Sequence, residues 1–571
     1  MFLRFRTVLS VFRASFGNPV LRRVGFAYAL FGAAEFGVWI TLLVFAYGDG
    51  GPTTSMLMVL VQLIPCIAFA PFLGALADRR RPSRLLCVGY GLQTLSMGAV
   101  AVAIGFGAPV VVFVLAPLTS LSFTVTRPPQ AALLPAVVRT PDELTAANVM
   151  TGWTDAAAAL VGPALAGILI AWRGPELAVA AMAGMTVIST FLVVRVQGPA
   201  AAISSDVVPG DGKNGEVGDD SGGDLRTGIG RAFATIRTGA GSNLLMTVRN
   251  PQIRVLLALH TFYFVLIGAL DLLCVILAVD YLHMGPGGPG FLNAALGGGA
   301  LLAGFVTAFL VGRRHLANTL TVTLSIAVVA LALIGAIPRV APAILLIGTV
   351  GLAGAVFDVT GRTLLQRSAP SDSIAGSFSI LEALMDSGLA LGAVLVRVAI
   401  AIGGLKAALF APAVVALLLI GGLWRRIRKV DASATVPQVE IQLLRSISIF
   451  AALPAPSLEG IARDLEALAV SQGTVVIKEG ERGDCYYAIA QGELAVTRVN
   501  QFVRMVSRGD GFGEIALIRD VPRQATVTAA TDASLYTLDR ELFVQAVTGH
   551  ATATSAVESV ISRHLGDDVT P

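Results

Sequence analysis

Apolar runs of about 20 residues recur along the first three quarters of the chain, a length that lets a helix cross a bilayer's hydrocarbon core. They lie at roughly 22–47, 54–77, 84–106, 109–129, 149–172, 175–195, 252–280, 288–311, 318–337, 341–361, 376–400 and 405–424. The pattern predicts about twelve membrane-spanning helices in two halves of six, residues 22–195 and 252–429. The interval 196–251 carries SSDVVPGDGKNGEVGDDSGGD, a tract too polar and glycine-rich to build a core, and is expected to be a partly disordered central loop. Its DGKNGEVGDD lacks the acid order of a calcium loop. Residues 1–21 are interrupted by Arg4, Arg6 and Arg13, which is unlike a signal peptide and reads as a basic cytoplasmic segment.

Beyond residue 429 the pattern changes. Residues 430–439 read as a linker, and 440–571 as a separate unit that opens helical. The short runs TVVIKEG, GDCYYAIAQGELAVTRV and FVRMVSRGD then alternate with glycine turns, as in a small β-roll, and a helix over 539–564 is expected to close the chain. The predicted fold class is an all-α membrane protein followed by a small α+β domain.

Composition strengthens this picture. Hydrophobic residues make up 55% of the 571 and charged residues 14%, well below the ~25% of soluble chains. The net charge of +4 gives no reason to expect nucleic acid as a partner. Arginine and lysine are unevenly spread. Arg79, Arg80, Arg81, Arg84, Arg139, Arg313, Arg314, Arg362, Arg367, Arg425, Arg426, Arg428 and Lys429 all fall on one side of the predicted topology. The positive-inside bias places that side in the cytoplasm, with both termini, and a multi-pass plasma (inner) membrane location follows. Cys66, Cys87, Cys274 and Cys485 are far apart without a CxxC pair, so neither a disulfide framework nor a metal site is expected. No nucleophile–base pair or phosphate loop points to an enzyme, and no cofactor is expected. The Thr349-Val350-Gly351 run lacks the continuation of a channel filter.

Ionisable residues within spans are costly, and each is a functional candidate. Glu35, Asp155, Asp271, Asp358, Glu382 and Asp386 are of this kind. Glu382 and Asp386 are four apart and share a helix face, a spacing that suits proton exchange. Asp358 has Arg362 one turn on, and Glu382 has Arg127 or Arg362 as possible partners. Glu35 and Asp271 have no basic neighbour in their own helices and are candidates for a central cavity.

The run Gly74-Ala-Leu76-Ala-Asp78-Arg79-Arg80-Arg81-Pro82-Ser-Arg84 lies between the second and third spans. With the six-plus-six layout it resembles the signature of the major facilitator superfamily, with Pro82 near the family's glycine. The resemblance implies that Gly74, Asp78, Arg79 and Arg84 form a cytoplasmic gating latch. Gly162-Pro163-Ala-Leu-Ala166-Gly167 resembles the family's antiporter motif, and the segment from Thr126-Arg127-Pro128-Pro129 to Pro135 with Glu143-Leu and Ala147-Asn148, together with Gly361-Arg362 through Gln366-Arg367, is similar to a drug-exporter subgroup.

Residues 440–571 resemble the cyclic nucleotide-binding domain family. Gly483, Asp484, Tyr487, Ile489, Gly492 and Val496 match its first pattern; Phe512-Gly513-Glu514, Ala516-Leu517 and Pro522-Arg523, Ala525-Thr526 match its phosphate cassette. The resemblance implies that Gly513, Glu514, Ile515, Ala516, Arg523, Gln524 and Ala525 hold the ligand. Backbone N–H groups and Arg523 would take the phosphate, and Glu514 the ribose 2′-hydroxyl. Gly483 and Gly492 are expected to shape strand turns. Gln524 stands where a smaller residue is usual, and a guanine-selecting threonine is absent, so cAMP is favoured over cGMP. The expected function is export of a small lipophilic or cationic molecule under cyclic-nucleotide control. The alternative is a receptor that keeps the transporter scaffold without transporting. Oligomeric state is left open.

Overall fold

The computed structural model describes residues 19–77, 82–137, 141–194, 251–310, 316–368, 374–433, 438–451, 453, 455–499, 501–548 and 557. They fall into two compact units, one of long apolar helices and one that follows it. Residues 1–18 of the basic N-terminal segment, residues 196–250 of the central loop, and residues 549–556 and 558–564 of the expected closing helix lie outside the described residues.

The first unit contains α1 (Pro19–Ala77), α2 (Pro82–Gly105), α3 (Pro109–Val137), α4 (Pro141–Arg173), α5 (Pro175–Val194), α6 (Pro251–Ile276), α7 (Gly288–Leu310), α8 (Leu316–Ala336), α9 (Val340–Ser368) and α10 (Ile374–Ser433). Several open on proline, whose fixed φ suits a first helical position and whose missing N–H is no loss there. All ten are long and apolar enough to cross a membrane, among the described residues. The first and last carry two spans each. α1 breaks at Gly50 (φ −155°, ψ 22°) and Gly51 (φ 70°, ψ −156°). α10 breaks the same way at Gly403 (φ −139°, ψ 17°) and Gly404 (φ 70°, ψ −171°). The second glycine of each pair occupies a region open in practice to glycine alone, so the sequence itself dictates the reversal. Counting the arms of α1 and α10 separately accounts for twelve spans. α10 continues to Ser433, so the first residues of the expected linker are helical.

Large apolar side chains face outward around this unit, Phe106, Ile402, Leu95 and Phe191 among them. Such a surface needs a lipid surrounding. Inside, helices meet backbone to backbone. A Cβ on Gly268 of α6 would lie 2.1 Å from the Leu389 carbonyl oxygen of α10. One on Gly299 of α7 would lie 1.9 Å from the Gly348 carbonyl oxygen of α9. Close approach of this kind drives association where lipid removes the hydrophobic incentive. α4 and α7 cross likewise, with Gly167 against the Gly287 carbonyl and Gly290.

The second unit opens with α11 (Gln438–Ser446), α12 (Ser448–Ala451) and α13 (Ala455–Asp464). Eight strands follow: β1 (Glu466–Val470), β2 (Val475–Ile477), β3 (Cys485–Gln491), β4 (Leu494–Arg498), β5 (Gln501–Val506), β6 (Gly511–Phe512), β7 (Thr526–Ala529) and β8 (Ala533–Asp539). α14 (Glu514–Ile518) lies between β6 and β7, and α15 (Arg540–Thr548) follows β8. The strands form two four-stranded antiparallel sheets, β1-β8-β3-β6 and β2-β7-β4-β5. Alternate residues from both meet in a core of Ile489, Leu494, Val506, Phe512, Val527 and Leu535. A second core, around stacked Tyr486 and Phe543 with Phe450 edge-on, binds the helices to the roll. The fold class expected from the pattern is the one observed.

Candidate functional sites

The roll contains a cleft with about 120 Å³ of water-sized space, lined by residues of β2, β4, β5, α14 and the segment leading into β7. Gly513, Glu514, Ile515, Ala516, Arg523, Gln524 and Ala525 all line it. The ten residues from Glu514 to Arg523 are brought back to one wall because α14 is a single short helix closed by a turn.

Arg523 is the centre of this wall. Its side chain is buried, and its guanidinium donates to two main-chain carbonyls, Nη1 to Gly513 (3.0 Å) and Nη2 to Cys485 (2.6 Å). It lies over the Tyr487 ring at 5.9 Å, and Tyr487 stacks on Phe512 with centroids 5.0 Å apart. Its own backbone is pinned as well, with N–H donating to Glu481 O (2.8 Å) and C=O accepting from Gly480 N–H (2.9 Å). Burial pulls the guanidinium's pKa down, opposed by Tyr487, Cys485, Asp484 and Glu514, yet an arginine starts so high that it stays charged. No carboxylate stands within salt-bridge distance of it among the described residues. A buried cation fixed by neutral carbonyls is a prepared site for an anion.

Two glycines make the room. A Cβ on Gly513 (φ +98°) would meet Arg523 Nη1 at 2.5 Å, and one on Gly483 would meet Nε and Cζ at 2.9 Å. Gly483 therefore differs from the expectation of a turn residue: it is needed for space, whereas Gly492 (φ +94°) does shape the β3–β4 turn. Glu514, at the first position of α14, is buried at 3% exposure beside the cleft. Thr526 is used structurally, its hydroxyl accepting from Glu479 N–H at 3.0 Å. Gln524 turns back on its own loop, its amide donating to Pro522 O at 2.9 Å. Tyr487 and the Cys485 carbonyl are parts of the site that the motif alone did not assign a role. The alternation of β3 was the available signal.

In the helical unit Asp271 is buried and accepts from the Trp39 indole at 3.1 Å. Trp39 lies one helical turn from Glu35 on α1, so the two candidate acids approach one boundary between the halves. Cys66 lies within electrostatic reach of both Asp386 and Glu35, which brings α10 to the same region. Glu382 lies one helical turn from Asp386 on α10. It pairs with Arg362 at 2.9 Å, and Arg362 also holds Asp358 at 2.9 Å. Of the partners considered for Glu382, Arg362 is the one observed, and the Arg127 side chain lies outside the described residues. Asp155 accepts from the Tyr28 hydroxyl. Two further links between the halves, unmarked in the sequence, sit near the glycine breaks: Tyr47 donates to Asp280, and Arg397 donates to Thr53 Oγ1 at 2.8 Å. Asp78 and Arg79 lie outside the described residues, as do the side chains of Gly74's neighbours and Arg84. Among the described residues no acidic, histidine or cysteine cluster could hold a metal ion.

Residues 24–350, more than half of the chain, match the Major Facilitator Superfamily. The chain belongs to that superfamily. Residues 468–550 of this superfamily member match the cyclic nucleotide-binding domain. Over 102 residues it is 40% identical to a cAMP-dependent protein kinase regulatory subunit of Yarrowia lipolytica, a stretch covering 18% of this chain and 27% of that protein. Over 101 residues it is 36% identical to a cGMP-dependent protein kinase of Eimeria tenella, covering 18% of this chain and 10% of that protein. The chain thus spans about a quarter or less of the curated relatives it matches. Among solved structures it is similar to the regulatory domain of Toxoplasma gondii PKA with cAMP, at 29% identity over 24% of this chain and 54% of that one, with a TM-score of 0.20. Neither matched family is enzymatic.

Proposed function

We propose that this superfamily member is a secondary transporter, an exporter of a small lipophilic or cationic molecule, controlled by a cyclic purine nucleotide bound in its C-terminal roll. The observation that carries the nucleotide reading is Arg523, a buried cation held by two carbonyls at the edge of an open cleft. Arg523 would take the phosphate oxygens as a planar fork, helped by the N–H groups of Ile515 and Ala516. Glu514 would accept from the ribose 2′-hydroxyl. Domains of this type occur in cAMP- and cGMP-dependent kinases, which supports both nucleotides as ligands. The arginine bias supports a cytoplasmic roll in the plasma membrane.

On the transport side, Glu35 and Asp271 serve a central cavity, with Asp386 nearby. The scarcity of arginine and lysine within the apolar runs suits a cationic cargo better than an anionic one. Gly74, Asp78, Arg79 and Arg84 act as the cytoplasmic latch. Nucleotide binding shifts the balance of transporter states only as far as its affinity for them differs.

Two measurements on the full-length protein test this reading. Calorimetry with cAMP and cGMP should show binding that Arg523→Ala removes; heat unaffected by Arg523→Ala would sink the site. Flux of tetraphenylphosphonium in proteoliposomes should change when nucleotide is present on the roll's side. Binding without any flux, across a panel of lipophilic cations, would leave a non-transporting receptor instead.

A further inference from the structure

The sheet β2-β7-β4-β5 presents an apolar outer face towards its β5 edge. Seven large apolar side chains are exposed in the second unit among the described residues, and four of them, Val499, Phe502, Val503 and Met505, lie on the β4–β5 hairpin. Register sets out the face. Met505 of β5 faces Ala495 of β4, Ala495 faces Thr528 of β7, and Thr528 faces the exposed Val475 of β2. Phe502 faces Thr497, two residues along β4 from Ala495 and therefore on the same side.

The tip of the hairpin is the unusual part. Arg498 pairs with Gln501, so a two-residue loop closes it, and Val499 opens that loop at φ +48° and 77% exposed. Asparagine or glycine ordinarily takes such a position, because a β-branched side chain is strained at positive φ. In water valine is unfavourable here twice, in its backbone and in its exposed surface. The tip is nonetheless braced, with Val499 N–H donating to the Glu479 carboxylate at 2.8 Å. An apolar tip held out against both costs is suited to an apolar medium.

Charge says which medium. Residues 494–508 carry Arg498, Arg504 and Arg508 and no acid. Arg498 and Arg504 line the cleft, and Arg508 is exposed just past β5. Basic residues around an apolar tip complement an anionic lipid surface, where apolar side chains reach the acyl boundary and guanidiniums meet phosphates. The same charge opposes a second copy, since two β5 edges paired together would bring like charges face to face. The chain supplies the reach. α10 ends at Ser433 and α11 begins at Gln438, so less than about 20 Å of extended chain joins a membrane-spanning arm to the roll.

We propose that the β4–β5 hairpin docks the roll on the anionic headgroup surface of the bilayer. Val499 and Phe502 enter the interface, Arg508 meets lipid phosphate, and Arg498 and Arg504 add positive potential. This goes beyond the nucleotide reading and does not depend on it.

The test is hydrogen–deuterium exchange of the full-length protein, without nucleotide, in nanodiscs holding one copy or two. The discs are made of phosphatidylcholine alone or of phosphatidylcholine with phosphatidylglycerol. Amides of residues 499–506 should exchange about tenfold more slowly in the phosphatidylglycerol discs, and high salt should remove the difference. Exchange in β3 and β8 should be the same in both lipids. Phe502→Ser should abolish the protection. Val499→Asn, which suits the turn, should weaken it while leaving the melting temperature equal or higher. Arg508→Gln should weaken it about threefold. Equal exchange of residues 499–506 in both lipids, or full protection in Phe502→Ser and Val499→Asn, would overturn the proposal. Protection confined to discs holding two copies would also overturn it and assign the face to a second copy.

Discussion

The two units use glycine for opposite purposes. In the helical unit it removes distance: Gly268, Gly299 and Gly351 let main chains touch, with hypothetical Cβ positions about 2 Å from a facing carbonyl oxygen. In the roll, Gly483 and Gly513 preserve a space that a guanidinium fills. The solvent explains the difference. Between lipid-bathed helices, apolar side chains gain little by meeting one another, so association depends on close van der Waals contact. In a water-bathed roll the core forms by apolar burial, and a buried charge is the expensive feature that needs a fitted seat. The polar contacts divide the same way. Asp271 is satisfied by one indole from the other half, whereas Arg523 is fixed by two carbonyls, an aromatic face and its own pinned backbone.

The largest effect that sharpens this contrast is expected at Gly299. Gly299→Leu should force α7 from α9, cost about 3 kcal/mol or more, and lose the monodisperse peak in size-exclusion chromatography. Retention of the wild-type peak and melting temperature would break the close-contact account. Next is Arg523→Ala, which should lower nucleotide affinity about 100-fold through loss of charge-assisted bonds. Gly483→Ala should mimic it in part, about tenfold, by pushing the guanidinium off its seat. If Gly483→Ala binds like wild type, the glycine is not there for space.

A smaller effect is expected at the boundary of the halves. Trp39→Phe removes the indole donor to Asp271 and should cost roughly 1–3 kcal/mol, read as a lower melting temperature in detergent. Asp271→Asn keeps an acceptor for the indole and should melt close to wild type. Equal destabilisation by both would assign Asp271 a role other than this bond. The smallest effect belongs to the exposed pair Arg540–Asp520, 2.6 Å apart with Asp520 77% exposed. Arg540→Ala should change stability by less than about 1 kcal/mol and vanish in high salt. A larger change would show that α15 depends on this pair.

Much of the architecture was legible because its causes are local. A span is declared by twenty apolar residues, its side of the membrane by arginines, and its reversal by a glycine pair such as Gly50-Gly51. The cassette was legible for the same reason, since α14 and Arg523 lie within one short stretch. Other features were hidden by sequence distance. Trp39 and Asp271 are 232 residues apart, and nothing periodic connects them. Arg397 and Thr53, 344 apart, meet only because α10 and α1 pack together.

Sequence alone therefore determined the two-part design: a helical membrane unit of the facilitator type and a nucleotide-domain roll with Arg523 as its cation. Tertiary structure decided how individual side chains are committed. It joined Glu382 to Arg362 and left Asp271 to an indole. It turned Gln524 away to its own loop and set Phe502 and Met505 on one outer face of an edge strand. The physical reason is range. Hydropathy, caps and turns act over a few residues and are written in order along the chain. Strand register and helix crossing bring together residues whose partnership exists only after the chain has folded.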